Sequence, residues 1–249
     1  MSPSLGLPDR VRACLFDLDG VLTQTASVHA AAWKEMFDSF LKATTAKTGG
    51  PIQPFDIRRD YEQYVDGRPR EDGVRAFLAS RHIWLPEGSA DDPPGAATVS
   101  GLGNRKNELF QERLKKEGVK RYEGSVRYLH AARRAGLKVA VVTASKNCDQ
   151  ILKAARLDGC FDAMVDGNVT AKERLHGKPA PDTYLFAARR LDAQPPDAAV
   201  YEDALAGVEA GRAGRFGLVV GVDRVGHGDA LRQHGADVVV KDLSELMHT

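Results

Sequence analysis

Residues 14–23 read Cys14-Leu15-Phe16-Asp17-Leu18-Asp19-Gly20-Val21-Leu22-Thr23, and this stretch decides how the chain folds. The largely apolar run from Val11 to Phe16 predicts a buried strand, and two carboxylates, Asp17 and Asp19, follow it directly. Open α/β sheets bind their ligands in the crevice outside the carboxyl ends of the strands, which places the pair at a candidate active site. Carboxylates so close in sequence repel each other unless a cation or a proton neutralises one of them, so the pair implies either Mg²⁺ or a raised pKa. An isolated Asp-x-Asp-Gly is equally compatible with acids that end a strand in a solvated turn. Other segments have to decide between the two.

Leu137 to Val142 is a second strand-like run, and it ends in Thr143-Ala144-Ser145-Lys146-Asn147. Small residues there let hydroxyls and backbone N–H groups approach a phosphate. Gly177-Lys178-Pro179-Ala180-Pro181-Asp182 places a lysine just before a helix signal, with Pro and Asp opening the amphipathic stretch Thr183 to Leu191. Lys178 held in that position can neutralise a phosphate or a carboxylate nucleophile, whereas alone it would read as a solvated turn lysine. Val200 to Gly207 ends another apolar run in two adjacent acids, Glu202 and Asp203, before a helix of small residues, and can complete a metal site. Strand-like runs at Val11, Val139, Ala199, Leu218 and Val238, with a short one at Ala163 to Val165, alternate with helical stretches. That alternation predicts an α/β protein with a doubly wound, Rossmann-like parallel sheet. Right-handed crossovers would gather Asp17, Thr143, Lys178 and Asp203 on one side of it.

With these four motifs in this order, the chain resembles the haloacid dehalogenase (HAD) superfamily of phosphotransferases. The resemblance implies that Asp17 is the nucleophile that takes the phosphoryl group and Asp19 the general acid and base, with Thr143 and Lys178 completing the catalytic set. It also implies Mg²⁺ as cofactor, held by the Asp17 carboxylate, the Asp19 backbone carbonyl and the Asp203 carboxylate. Glu202 is either a weaker ligand or a supporting residue, since adjacent side chains at a strand end can both face the loops. Within the superfamily the segments DLDGVLTQTASVHAAAWK, DGRPRED at 66–72, GNRKN at 103–107, TASKN at 143–147 and GKPAPD at 177–182 are similar to the β-phosphoglucomutase-like branch. Membership implies transfer of a phosphoryl group from the aspartate to β-glucose 1-phosphate, giving glucose 1,6-bisphosphate, which reorients, returns its other phosphoryl group and leaves as glucose 6-phosphate.

A helical cap inserted into the core is part of that resemblance. The expected division is a core of residues 1–25 and 118–249 and a cap of residues 26–117, with helix-like periodicity near His29 to Leu41, Arg70 to Arg81 and Asn104 to Lys116. The cap is expected to carry substrate specificity. Arg70 matches the residue that grips the phosphate not being transferred, a task suited to a guanidinium. The plainer alternative is a helix arginine paired with Glu71 or Asp72. By the same resemblance Thr25, His29, Trp33, Gly67, Lys106, Asn107, Ser145, Lys146 and Asn147 are substrate-binding candidates. His29 and Trp33 share one helix face, where a packing pair is the ordinary reading. GNRKN by itself reads as a polar helix start.

Two positions depart from the family pattern. Gln24 stands where an acid is common, and Asp66 where a lysine precedes the glycine of the cap loop, although Arg68 can restore a cation. Stretches around Thr44 to Pro54 and Leu85 to Thr98 read as surface connections.

Charge excludes little but agrees with a small-molecule enzyme. The 249 residues carry 35 basic and 34 acidic side chains, a formal net charge of +1 that offers no general field for nucleic acid. Cys14, Cys148 and Cys160 have no metal-ligand spacing and are expected to be reduced thiols in a cytoplasm, with Cys14 in the strand core. No apolar run is long enough to span a bilayer, and no signal segment is evident at the start. A cytoplasmic monomer acting on phosphorylated sugars is the expectation. A sugar-phosphate phosphatase would use the same core, with water attacking the aspartyl phosphate, and a phospho-acceptor signalling domain would also combine clustered acids with a Lys-Pro. The inserted cap and the second acid, Asp19, speak against the signalling domain.

Overall fold

The computed structural model describes residues 5–48 and 53–247. Strand-forming runs become β1 (Ala13–Phe16), β2 (Lys138–Val142), β3 (Ala163–Val165), β4 (Ala198–Glu202), β5 (Leu218–Val222) and β6 (Val238–Val240). They form one parallel sheet in the order β3-β2-β1-β4-β5-β6. The chain builds outward from β1 through β2 to β3, then returns to the other side of β1 for β4, β5 and β6. The strand order therefore reverses between β1 and β4, and such a switch point is where an open α/β sheet leaves a crevice. Phe16 lies opposite both Val141 and Tyr201 in the register, so Asp17, Val142 and Glu202 reach the carboxyl edge at one level.

Helices α1 (Thr25–Thr48), α2 (Arg70–Ala79) and α3 (Val99–Glu117) come from the inserted stretch, and α4 (Glu123–Arg134), α5 (Cys148–Ala154), α6 (Gly167–Lys172), α7 (Asp182–Arg190), α8 (Leu205–Ala213) and α9 (Gly228–Gln233) belong with the strands. The chain divides into two compact units, residues 1–24 with 119–249, and residues 25–118. In the first, the apolar strands are buried together with α7 and α8 through Leu15, Val142, Tyr184, Ala187, Val200 and Val208. Phe16 stacks on Tyr201 at 4.5 Å, and Cys14 is fully buried in β1. In the second, an aromatic core forms where Phe37 meets Trp33, Phe55 and Phe77 at ring separations of 5.2, 5.3 and 4.0 Å. The buried Asp60 pairs with Arg81 beside it. Among the described residues no helix is long and apolar enough to cross a membrane.

Two local expectations change. The stretch from Thr44 continues α1 to Thr48 because the Thr44 and Thr45 hydroxyls donate back to the carbonyls of Phe40 and Leu41, at 3.0 and 2.9 Å, and are satisfied within the helix. Residues 49–52 of that expected connection lie outside the described residues. Helix α3 begins at Val99, not at Asn104, since the Thr98 side chain accepts from the backbone of Gly101 and caps it. GNRKN consequently lies in the second turn of α3.

Candidate active site

Lys178 is at the centre of the first unit's carboxyl edge and is only 3% exposed. Its ammonium donates to Asp17 Oδ1 at 2.6 Å, to Glu202 Oε1 at 2.5 Å and to the Val142 carbonyl at 3.0 Å. Three donors meet three acceptors, so the cation is satisfied and fixed in direction. Glu202 is itself fully engaged: Tyr184 donates its hydroxyl to Oε1 at 2.9 Å, and the Ala204 amide donates to Oε2 at 3.1 Å. The Glu202 carboxylate thus orients Lys178 toward Asp17. Tyr184 carried no signal in the sequence, where it is one apolar position of an amphipathic helix.

Asp203 is buried beside Gly20. A Cβ at Gly20 would lie 1.7 Å from Asp203 Oδ2, so only glycine lets the turn after Asp19 close against that carboxylate, and its φ of +96° also favours glycine. Carboxylate oxygens of Asp17, Glu202 and Asp203 all lie within 4.8 Å of one another. All three carboxylates are buried, and two of them, Asp17 and Glu202, share the Lys178 ammonium. A hard, oxygen-preferring divalent cation fits that all-carboxylate donor set.

Electrostatics follow from burial. Loss of solvent pushes the Asp17 carboxyl well above the usual carboxylate range; Lys178 opposes this, while Glu202 and Asp19 add to it. Burial works against the Lys178 ammonium, but Asp17 and Glu202 outweigh it and hold its pKa above the ordinary lysine value. The Tyr184 phenol is raised by burial and by Glu202, so it remains a neutral donor.

Thr143 follows β2 directly and donates its hydroxyl to Asp19 Oδ2 at 3.2 Å. Thr143 Oγ1 in turn accepts the Ser145 amide, and Ser145 Oγ accepts the Asn147 amide, at 3.1 and 3.2 Å. Lys146 lies on the exposed side of this loop. Its carbonyl accepts from the Asn168 side chain at 3.0 Å, and the Ser145 carbonyl accepts from the Gly167 amide, so the start of α6 steadies the loop.

The second unit gathers cations. Arg70, first residue of α2, donates to Asn107 Oδ1 at 3.1 Å, and Gly103 leaves room for its stem, with a Cβ there 3.0 Å from Arg70 Cδ. Burial lowers the Arg70 pKa, and Glu71 partly offsets this. Asp72 pairs with Arg75. Lys106 is 6% exposed, lies 2.6 Å from His29 Nδ1, and sits over the rings of Trp33 and Phe110 at 4.9 and 5.2 Å. His29 stacks on Phe110 at 3.9 Å and Trp33 is buried, so both pack as well as flank the lysine. Thr25 is buried at the start of α1, and Gly67 takes a φ of +68° in the turn before Arg70.

A sequence profile of the haloacid dehalogenase-like hydrolases matches residues 11–215. The chain belongs to the haloacid dehalogenase family. It is 54% identical to the β-phosphoglucomutase of Mycobacterium bovis over 246 residues, which is 98% of this chain and 94% of that protein. It is 32% identical to the β-phosphoglucomutase of Bacillus subtilis over 239 residues, 95% of this chain and 92% of that protein. The fold is shared with a solved hydrolase from Pseudomonas syringae at a TM-score of 0.75 and 22% identity, covering 94% of this chain and 95% of that one. The protein is an enzyme of the haloacid dehalogenase type, in the β-phosphoglucomutase-like branch.

Proposed function

We propose that this enzyme interconverts β-glucose 1-phosphate and glucose 6-phosphate by way of an aspartyl phosphate on Asp17 and glucose 1,6-bisphosphate. The observation that carries the reading is the buried array in which Lys178 meets both Asp17 and Glu202, within reach of Asp203. In the phosphorylated enzyme, Asp19 takes the proton of the sugar 6-hydroxyl as that oxygen attacks phosphorus and the bond from phosphorus to Asp17 breaks. The bisphosphate reorients. Asp17 then attacks the 1-phosphoryl group, and Asp19 returns its proton to the departing oxygen. Thr143 keeps Asp19 aligned for both transfers, and the Ser145 to Asn147 loop donates to phosphate.

Mg²⁺ would be held by Asp17, Asp203 and the Asp19 carbonyl, and when bound it would offset the charge of the phosphoryl oxygens. Glu202 is assigned to orienting Lys178, because both its oxygens already accept hydrogen bonds. Arg70, oriented by Asn107, holds the phosphate that is not transferred. Arg68 adds a second cation: its Nε is buried with no hydrogen-bond partner, as suits a group waiting for an anion. Thr25, His29, Trp33, Gly67 and Lys106 position the sugar. The three buried free cysteines suit a reducing cytoplasm, and the enzyme acts as a monomer.

Phosphorus NMR of the protein with Mg²⁺, β-glucose 1-phosphate and a trace of glucose 1,6-bisphosphate tests this directly. Glucose 6-phosphate is the expected product. Inorganic phosphate as the main product would make the enzyme a sugar-phosphate phosphatase, and a long-lived phosphoprotein alone would make it a signalling domain.

A further inference from the structure

Arg224 lies two residues beyond β5, outside every motif that marks the family, and is 11% exposed. Its guanidinium is saturated. Nε donates to the Gly20 carbonyl at 2.8 Å and Nη2 to the Val21 carbonyl at 3.1 Å, the two residues that follow Asp19. Nη2 also donates to Ser125 Oγ at 2.9 Å, and Nη1 to the Lys241 carbonyl at 2.6 Å and to Asp242 Oδ2 at 3.2 Å. Five N–H donors therefore meet five acceptors, with the plane lying 3.5 Å over the Tyr122 ring. A surface arginine kept for solubility would not be used up in this way.

The direction of these bonds matters more than their number. Gly20 presses against Asp203 so closely that a Cβ would overlap the carboxylate, and its amide donates to the Thr23 carbonyl at 2.7 Å, closing the turn. Arg224 holds the carbonyls of that same turn. We propose that Arg224 is a positioning residue of the active site: by fixing the Gly20 and Val21 carbonyls it sets the turn after Asp19 against Asp203 and so sets the affinity for the divalent cation. This rests on the metal reading given above. Lysine cannot replace it, because an ammonium has three donors on a flexible stem and no fork to span two successive carbonyls while also bonding Ser125 and the 241–242 segment.

The test compares Arg224→Lys with Asp242→Asn. The second variant loosens the C-terminal end of the clamp and leaves the bonds to Gly20 and Val21 in place. Mn²⁺, a paramagnetic cation suited to the same oxygen ligands, reports binding by electron paramagnetic resonance without any turnover. Arg224→Lys is expected to raise the Mn²⁺ dissociation constant about tenfold, the low end for loss of a group supporting a metal site. Asp242→Asn is expected to stay within about twofold of wild type, whatever its melting temperature. In Arg224→Ala, millimolar ethylguanidinium should recover Mn²⁺ affinity, and failure to recover it while the melting temperature returns would overturn the proposal. Wild-type affinity in Arg224→Lys, or an equal loss in both variants that follows their melting temperatures, would overturn the proposal. Absence of Mn²⁺ binding by the wild-type protein would overturn the metal reading as well, so the two failures are distinguishable.

Discussion

The two units hold buried charge in different company. At the carboxyl edge of the sheet, Asp17 and Glu202 meet on the Lys178 ammonium, with the Asp203 carboxylate close by. In the helical unit, Lys106 lies among Trp33, Phe110 and His29, and Arg70 rests on Asn107, a neutral partner. Neither arrangement is what a stability-driven core would choose, since taking charge out of water costs free energy that apolar residues do not incur. Under the proposed function the first unit receives a divalent cation and the second a phosphate.

Asp17→Asn attacks the contrast at its strongest point. The amide keeps the volume but is no nucleophile, so turnover should fall by ~10⁴-fold or more. No aspartyl phosphate should appear in the phosphorus spectrum, and the circular dichroism should be unchanged. Activity above about one per cent of wild type would move the nucleophile elsewhere.

Lys178→Met removes the ammonium that Asp17 and Glu202 share and leaves these two carboxylates facing each other out of water. Loss of one partner of a buried ion pair costs about 3–5 kcal/mol, to be read from urea midpoints. A loss below about 1 kcal/mol would mean that the cluster is more hydrated than its burial indicates.

Arg70→Ala tests the cationic side. Turnover of glucose 1,6-bisphosphate should drop by about a hundredfold while hydrolysis of acetyl phosphate, which has no second phosphate to grip, changes little. More phosphoryl groups should also pass to water for each sugar isomerised. Unchanged sugar kinetics would reduce Arg70 to a helix residue and remove the helical unit's claim on the anion.

Tyr184→Phe probes the support of Glu202, and its effect should be smallest. Removing a neutral donor from a charged acceptor costs about 1.5 kcal/mol, because Oε1 keeps its bond to Lys178. A KM that holds steady while kcat falls would place the role in orienting Lys178.

Much of the first unit could be read from the chain because its chemistry coincides with local punctuation. Acids directly after an apolar run, at Asp17 and at Glu202-Asp203, mark strand ends, and the Pro and Asp after Lys178 mark a helix start. What stayed open was direction: Glu202 and Asp203 are adjacent, and only the fold turns one to Lys178 and the other to Gly20. Tyr184 and Arg224 were invisible for the same reason, as their partners lie 18 and about two hundred residues away. In the helical unit the start of α3 was misplaced because its cap, Thr98, sits at the end of a stretch rich in Gly, Pro and Asp that reads as loop. The extension of α1 was missed because threonine is a weak helix former whose hydroxyl finds its acceptor only once the helix exists.

The strand order also sets a schedule for synthesis. Asp17 and Lys178 are 161 residues apart, and β4 follows later still, so most of the chain must leave the ribosome before Asp17 meets either Lys178 or the acids at the end of β4. Residues 25–118 form a compact unit of their own and can fold while β1 waits for its partners. A nascent chain ending before β4 would carry Asp17 without Glu202 and Asp203, so unfinished copies would lack the assembled site.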